Sequence, residues 1–227
     1  MTNDPREPLH SLLGLLYVAH PWHGIAPGPR VPEVVTVYVE MVPSDTVKYE
    51  VDKGSGHLRL DRPQRYSSMC PAPYGFVPQT FCGEAVAALA ASRTHRSGIA
   101  GDGDPLDVCV LTERSINHGG VLVTARPIGG LRMFDGEEAD DKIVAVLEGD
   151  ATYGALTDIS ACPASLIDRL RHYFLSYKDM PGEVARKTEI TDVYGAAEAH
   201  EVVQRSISDY RGRFGALAAL VAEAIGR

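Results

Sequence analysis

Residues 34–41, VVTVYVEM, and residues 47–52, VKYEVD, decide the fold class. The first run is β-branched and aromatic throughout, the composition a strand prefers. The second alternates strictly, with Val47, Tyr49 and Val51 on one face and Lys48, Glu50 and Asp52 on the other, as side chains do along a strand. Gly54-Ser55-Gly56 reads as a turn into a third short strand over residues 58–60. Residues 106–111, 121–126 and 143–147 are further strand candidates. Short strands joined by Gly- and Pro-rich turns point to a closed antiparallel barrel rather than a parallel βαβ sheet. Helices come late. Pro163 suits a first helical turn, Leu166, Leu170, Tyr173, Phe174 and Tyr177 follow at helical spacing, and Pro181-Gly182 stops the run. Residues 196–210 and 214–225 read as two more helices. Residues 83–101, rich in Ala and Ser, read as a short helix or a mobile surface loop.

The chain has 227 residues, 44% hydrophobic and 23% charged, so wholesale disorder and fibrous structure are excluded. At about 150 residues per domain this length fits one large domain or two small ones, and a chain this size can bury its own core. Cys70, Cys82, Cys109 and Cys162 are scattered with no C-x-x-C pair, as expected of free thiols in a reducing cytosol. The apolar run over residues 12–19 is shorter than the about 20 residues a membrane span needs, and no A-x-A cleavage site follows it. The expectation is a soluble, cytoplasmic protein with no membrane partner. A net charge of −8 counts against nucleic acid, which calls for a basic face, and at first sight against any phosphate-rich substrate.

The negative charge is concentrated. Residues 102–142 hold nine acids against four bases, five of the eight net negative charges. They form two clusters, Asp102-Gly-Asp104-Pro-Leu-Asp107 and Asp135-Gly-Glu-Glu-Ala-Asp140-Asp141-Lys142. Carboxylates this close repel one another unless a cation holds them, and oxygen-only ligands suit hard ions such as Mg²⁺, Mn²⁺ or Ca²⁺. A solvated acidic turn is the plain alternative. An EF-hand loop starting at Asp102 fails at its fifth and sixth positions, which are Leu106 and Asp107. A haloacid-dehalogenase-like D-x-D motif lacks the Thr or Val it needs at Leu106, and the hydrophobic strand before it.

Taken with their surroundings, these clusters resemble the soluble family I inorganic pyrophosphatases. DGDPLDV (residues 102–108) is similar to that family's aspartate signature. VEMVP around Glu40, KYEVDKGSG over 48–56, LDRP around Arg62 and PAPYGFVP around Tyr74 lie before it. RPIGGLRMFD ending at Asp135, EEADDK, and HYFLSYKD with Tyr177 and Lys178 lie after it, so the resemblance covers roughly residues 20–180. It implies a mainly β protein with some α: a five-stranded OB-like closed barrel with peripheral helices. It also implies hydrolysis of pyrophosphate to two phosphates by in-line attack of water, with Mg²⁺ as cofactor, several ions per site and Mn²⁺ or other divalent ions as substitutes. By resemblance, Asp102, Asp107, Asp135 and Asp140 are metal ligands, Glu40 lines the same cavity, and Asp104 accepts a proton from the attacking water. Lys48, Arg62, Tyr74, Lys142, Tyr177 and Lys178 match phosphate-holding groups, and Glu50 matches an acid beside them. A homo-oligomer, hexamer or dimer, is implied as well.

The chemistry of these side chains agrees with such roles. Divalent ions lower the charge that repels a nucleophile and acidify water. Arg and Lys give charge-assisted hydrogen bonds to phosphoryl oxygens, and Tyr donates without adding net charge. Taken singly, Lys48 with Glu50 reads as a solvated pair, Tyr177 as core and Arg62 as an exposed turn residue; it is their joint order that argues for function. His20, Trp22 and His23 lack the further ligands a zinc site needs and read as a packed N-terminal turn. Relative to compact bacterial members, residues 83–101 look like an insertion that gates access or forms a subunit contact, and 183–227 look like a divergent helical extension. The whole chain, 1–227, is expected to form a single domain. Two rival functions remain, an OB-barrel module that binds nucleic acid or protein without catalysis and a different metal-dependent phosphohydrolase for nucleotides or phosphate monoesters.

Overall fold

The structure is a computed structural model, described here over residues 18–64, 68–178 and 188–225. Most of the apolar run 12–19, the expected helix stop at Pro181-Gly182 and residues 183–187 lie outside the described residues. The strands are β1 (Val35–Met41), β2 (Val47–Val51), β3 (Leu58–Pro63), β4 (Tyr74–Phe76) and β5 (Ala100–Gly101). Then follow β6 (Asp107–Leu111), β7 (Val121–Asp135), β8 (Glu138–Ala139), β9 (Lys142–Leu147) and β10 (Thr188–Gly195). The helices are α1 (Glu84–Thr94), α2 (Ala164–Ser176) and α3 (Ala196–Ile225).

The protein is mainly β with flanking helices. One sheet runs in the order β1-β4-β6-β9-β7-β8-β5, β10 adds to β7, and β1 also pairs with β7. The pairings of β1, β4, β6, β9 and β7 therefore return to their start. β2 and β3 form a separate hairpin.

Alternation along the strands sends side chains to two cores. Val108 and Val110 of β6 join Val35, Val37, Ala125, Ile143 and Ala145 under α1 and α3, which contribute Val86, Leu89, Ala199, Val202 and Val203. Cys109 and Leu111, one residue out of phase, join Val144, Val146, Ile128 and Met41 under Leu166, Leu170, Tyr173 and Phe174 of α2. Leu170 is fully buried, a contribution of roughly 1.5–3 kcal/mol.

Several expectations need correction. The sheet is mixed: β6 and β9 are parallel, with Asp107 opposite Lys142, and β5 and β8 are parallel too. β7 folds back through β8 into β9, which slots between β7 and β6 and so runs alongside β6 in the same sense. Side-chain period reports that a segment is a strand and not which way its neighbour runs. The strand expected over 121–126 continues to Asp135 through Pro127 and Gly129-Gly130. The β7–β9 register shifts at Pro127, which has no N–H to give. The glycines are needed because β10 crosses there: a Cβ on Gly130 would lie 2.4 Å from the Tyr194 hydroxyl.

The two helices expected beyond residue 195 are one 30-residue helix. Gly212, between the two expected segments, has nothing near it that a side chain would meet and is simply carried within α3. Of the two readings of residues 83–101, a short helix or a mobile surface loop, the short helix forms, as α1. α1 packs on α3, and its N-terminus, for which Gly83 offers no side-chain cap, is capped from outside by Asp209. That carboxylate accepts the Gly83, Ala85 and Val86 N–H groups at 3.0, 2.9 and 3.1 Å.

Candidate active site

The rim where β6 and β9 begin and β7 ends gathers the acids. Asp107 opens β6, Lys142 opens β9 opposite it, and Asp135 closes β7 opposite Glu138 of β8. The buried Lys142 ammonium donates to both Asp107 and Asp140. Burial alone would lower its pKa, but the two carboxylates outweigh that and hold it well above the ordinary lysine value.

Asp102 and Asp104 sit on the turn before β6. Asp104 N–H donates to Asp102 Oδ1 at 2.9 Å, with Gly103 between them at φ +75°, a backbone that glycine adopts without strain. Cys82 braces the turn through its main chain, its N–H on the Asp104 carbonyl at 2.8 Å and its carbonyl on the Gly103 N–H at 3.0 Å. Glu40, near the end of β1, accepts the Val51 N–H at 2.6 Å.

Burial pushes the acids of this basin upward. Asp102 rises to about 9, chiefly by burial and then by the neighbouring Asp140 charge. Glu40 rises to about 8, and Asp140 is raised as well, both chiefly by burial. These are the marks of carboxylates gathered out of water with too little positive charge.

The opposite wall is basic and aromatic. Lys48 and Arg62 are cross-strand partners in the β2–β3 hairpin. Lys48 pairs with Glu50 and lies 3.8 Å from Asp61, which also pairs with Arg62. The Arg62 guanidinium stands 5.9 Å from the Tyr177 ring, and Tyr177 follows α2 stacked on Tyr173. Tyr74, buried in β4, packs on Phe174 at 5.8 Å, and burial first of all drives its hydroxyl pKa well up. Lys178 pairs with Asp135.

All thirteen residues singled out from the sequence line one cavity of about 340 Å³: Asp102, Asp104, Asp107, Asp135, Asp140 and Glu40 on the acidic side, and Lys48, Glu50, Arg62, Tyr74, Lys142, Tyr177 and Lys178 around it. Sequence reasoning missed Lys53, Glu138 and Trp22, which line it too. Lys53 pairs with Asp104 from the β2–β3 turn. It stands in the quoted run KYEVDKGSG, but only the folding of the hairpin over the sheet brings it to the aspartates. Trp22 belongs to the N-terminal turn, which packs: His20 Nδ1 accepts the Trp22 N–H at 3.2 Å, Trp22 stacks on His23 at 4.5 Å, and the indole donates to the Thr80 carbonyl at 2.7 Å.

Among the described residues no three acidic, His or Cys side chains converge into a finished coordination shell. Lysine ammoniums hold the carboxylates instead: Lys142 on Asp107 and Asp140, Lys53 on Asp104 and Lys178 on Asp135. The donor set still fits a hard divalent cation. It is all oxygen, it is buried on the Asp102–Asp140 side, and its raised carboxylates lack positive charge that such an ion would supply. Lysines and an arginine facing this basin are groups that hold phosphoryl oxygens.

Comparison with known proteins agrees. Residues 37–211 match the family described as "Inorganic pyrophosphatase". A protein of Chlamydia trachomatis named inorganic pyrophosphatase is 47% identical over 203 residues, 88% of this chain and 97% of that one. "Soluble inorganic pyrophosphatase 3" of Arabidopsis thaliana is 36% identical over 85% of this chain and 79% of that one. The crystal structure of the inorganic pyrophosphatase from Thermus thermophilus superposes with a TM-score of 0.71 at 28% identity, over 85% of this chain and 99% of that one. By class the protein is a phosphohydrolase. The chain belongs to the inorganic pyrophosphatase family. The family match continues past Lys178, where the recognisable motifs end, through β10 and into α3.

Proposed function

We propose that the chain hydrolyses inorganic pyrophosphate to two orthophosphates in this cavity, by direct in-line attack of water without a covalent intermediate. The observation that carries the reading is the convergence of thirteen residues from eight separate motifs on one cavity with an acidic floor and a basic wall. Asp102, Asp107, Asp135 and Asp140, with Glu40, would hold divalent ions: Mg²⁺ as the resident metal, several per site, with Mn²⁺ able to substitute. When bound, such ions neutralise the substrate, acidify water and stabilise the charge on the leaving phosphate.

The chain's own residues supply the rest. Asp104, on the glycine turn and half exposed to the cavity, accepts the proton of the attacking water. Lys48, Arg62, Lys142 and Lys178 bind phosphoryl oxygens by charge-assisted hydrogen bonds, Tyr74 and Tyr177 donate neutral ones, and Glu50 holds Lys48 in place. Arg62 beside the Tyr177 ring keeps its fork oriented toward the substrate.

The circuit of pairings through β1, β4, β6, β9 and β7 supports a five-stranded OB-like closed barrel. We read residues 1–227 as one pyrophosphatase domain acting as a cytoplasmic homo-oligomer that takes no nucleic-acid or membrane partner. Among the described residues no helix is long and apolar enough to cross a membrane. Phosphate release from pyrophosphate, ATP and a phosphate monoester, each with and without Mg²⁺, tests the reading. Release from pyrophosphate alone, and only with metal, is expected. Absence of release from pyrophosphate would sink it.

A further inference from the structure

Asp141 follows a cavity aspartate but does not itself line the cavity. It is buried, and so is Arg132 of β7, whose Nη1 stands 3.1 Å from Asp141 Oδ2. The Tyr194 hydroxyl of β10 donates to that same oxygen at 2.9 Å, and the guanidinium lies 4.8 Å from the Tyr194 ring. Arg132 Nη2 donates to Glu198 of α3 at 2.6 Å, and Glu198 meets Arg93 of α1 at 3.2 Å. One ion chain thus crosses β7, the 140–141 turn, β10, α3 and α1, entirely outside the cavity.

Stability by itself is a weak reason for this chain. Removing two charges from water is costly, and an apolar pair of similar volume often serves a core as well or better. Geometry gives another account. Asp140 and Asp141 are joined by one planar peptide, so fixing one side chain restrains the backbone of the other. Asp140 N–H also donates to the Met133 carbonyl at 3.0 Å, next to Arg132 in the strand that ends at Asp135.

We propose that Arg132 and Asp141 are positioning residues: their ion pair clamps the 140–141 turn to β7 and sets Asp140 relative to Asp135 for divalent metal, while Glu198 and Arg93 tie the clamp to α3 and α1. This rests on the metal-dependent reading above.

The test is calorimetric titration of the full chain with Mn²⁺, without substrate, beside a thermal melt. In Arg132→Met/Asp141→Leu the melting temperature stays near that of the parent while Mn²⁺ binds at least about tenfold more weakly. The Mg²⁺ concentration for half-maximal activity moves by the same factor, and KM for pyrophosphate at saturating Mg²⁺ changes less than twofold. Tyr194→Phe removes only the hydroxyl on Asp141 and weakens Mn²⁺ about threefold; it decides the matter if the double variant does not fold. Parental Mn²⁺ affinity in Tyr194→Phe, or in a folded double variant, overturns the clamp. Failure of the parent chain to bind Mn²⁺ would instead overturn the metal reading, and the clamp with it.

Discussion

The floor and the wall of the cavity are built in opposite ways. On the floor, Glu40 and Lys142 are buried in strands and Asp102 and Asp140 half-buried on the turns beside them, and the carboxylate pKa values are pushed upward. On the wall, Glu50, Lys53 and Arg62 stand on a two-stranded hairpin with side chains a third or more exposed. Floor charges cannot relax into water, so their arrangement is a property of the folded chain. Wall charges are screened and free to follow a substrate. Binding of a metal and binding of a phosphate therefore place different demands on one pocket.

Four substitutions probe that contrast, from the largest effect to the smallest. Asp104→Asn is expected to cut turnover by about 10²–10⁴-fold with the melting temperature and Mn²⁺ binding preserved. Near-parental turnover would take the proton-accepting role away from Asp104. Lys142→Met leaves Asp107 and Asp140 without their shared ammonium and is expected to cost about 3–5 kcal/mol in chelator-treated buffer, partly restored by added Mg²⁺. An unchanged melt in chelator would show that the floor does not depend on that compensation.

Asp209→Ala leaves three N–H groups at the start of α1 without an acceptor and should cost about 1–2 kcal/mol in denaturant unfolding. Arg62→Ala on the wall should change stability by less than about 1 kcal/mol while raising KM for pyrophosphate. A loss as large as that of Lys142→Met would erase the distinction between floor and wall.

The two surfaces also differed in how far the sequence disclosed them. Residue chemistry was plain, because DGDPLDV and EEADDK crowd carboxylates at spacings that ask for a cation, and the alternation in VKYEVD put Lys48 and Glu50 on one face. Spatial order was not. Nothing local to residues 107–111 or 142–147 says that they run parallel, because that follows from the return of β7 through β8. The strand read over 121–126 stops short of Gly129 and Gly130, and only the crossing of Tyr194 explains why glycines continue it to Asp135. Lys53 and the Arg132–Asp141 pair escaped notice for the same reason: each acquires its partner from a distant element.

The cap on α1 has a consequence in time. Asp209 lies 126 residues after Gly83, whose N–H it accepts, and a contact this distant in sequence is paid for in loop-closure entropy before it returns anything. On a growing chain, residues 83–86 and the neighbouring Cys82 that braces Asp104 emerge long before their anchor exists. A nascent chain halted before residue 209 would carry the residues of the site without the carboxylate that caps α1.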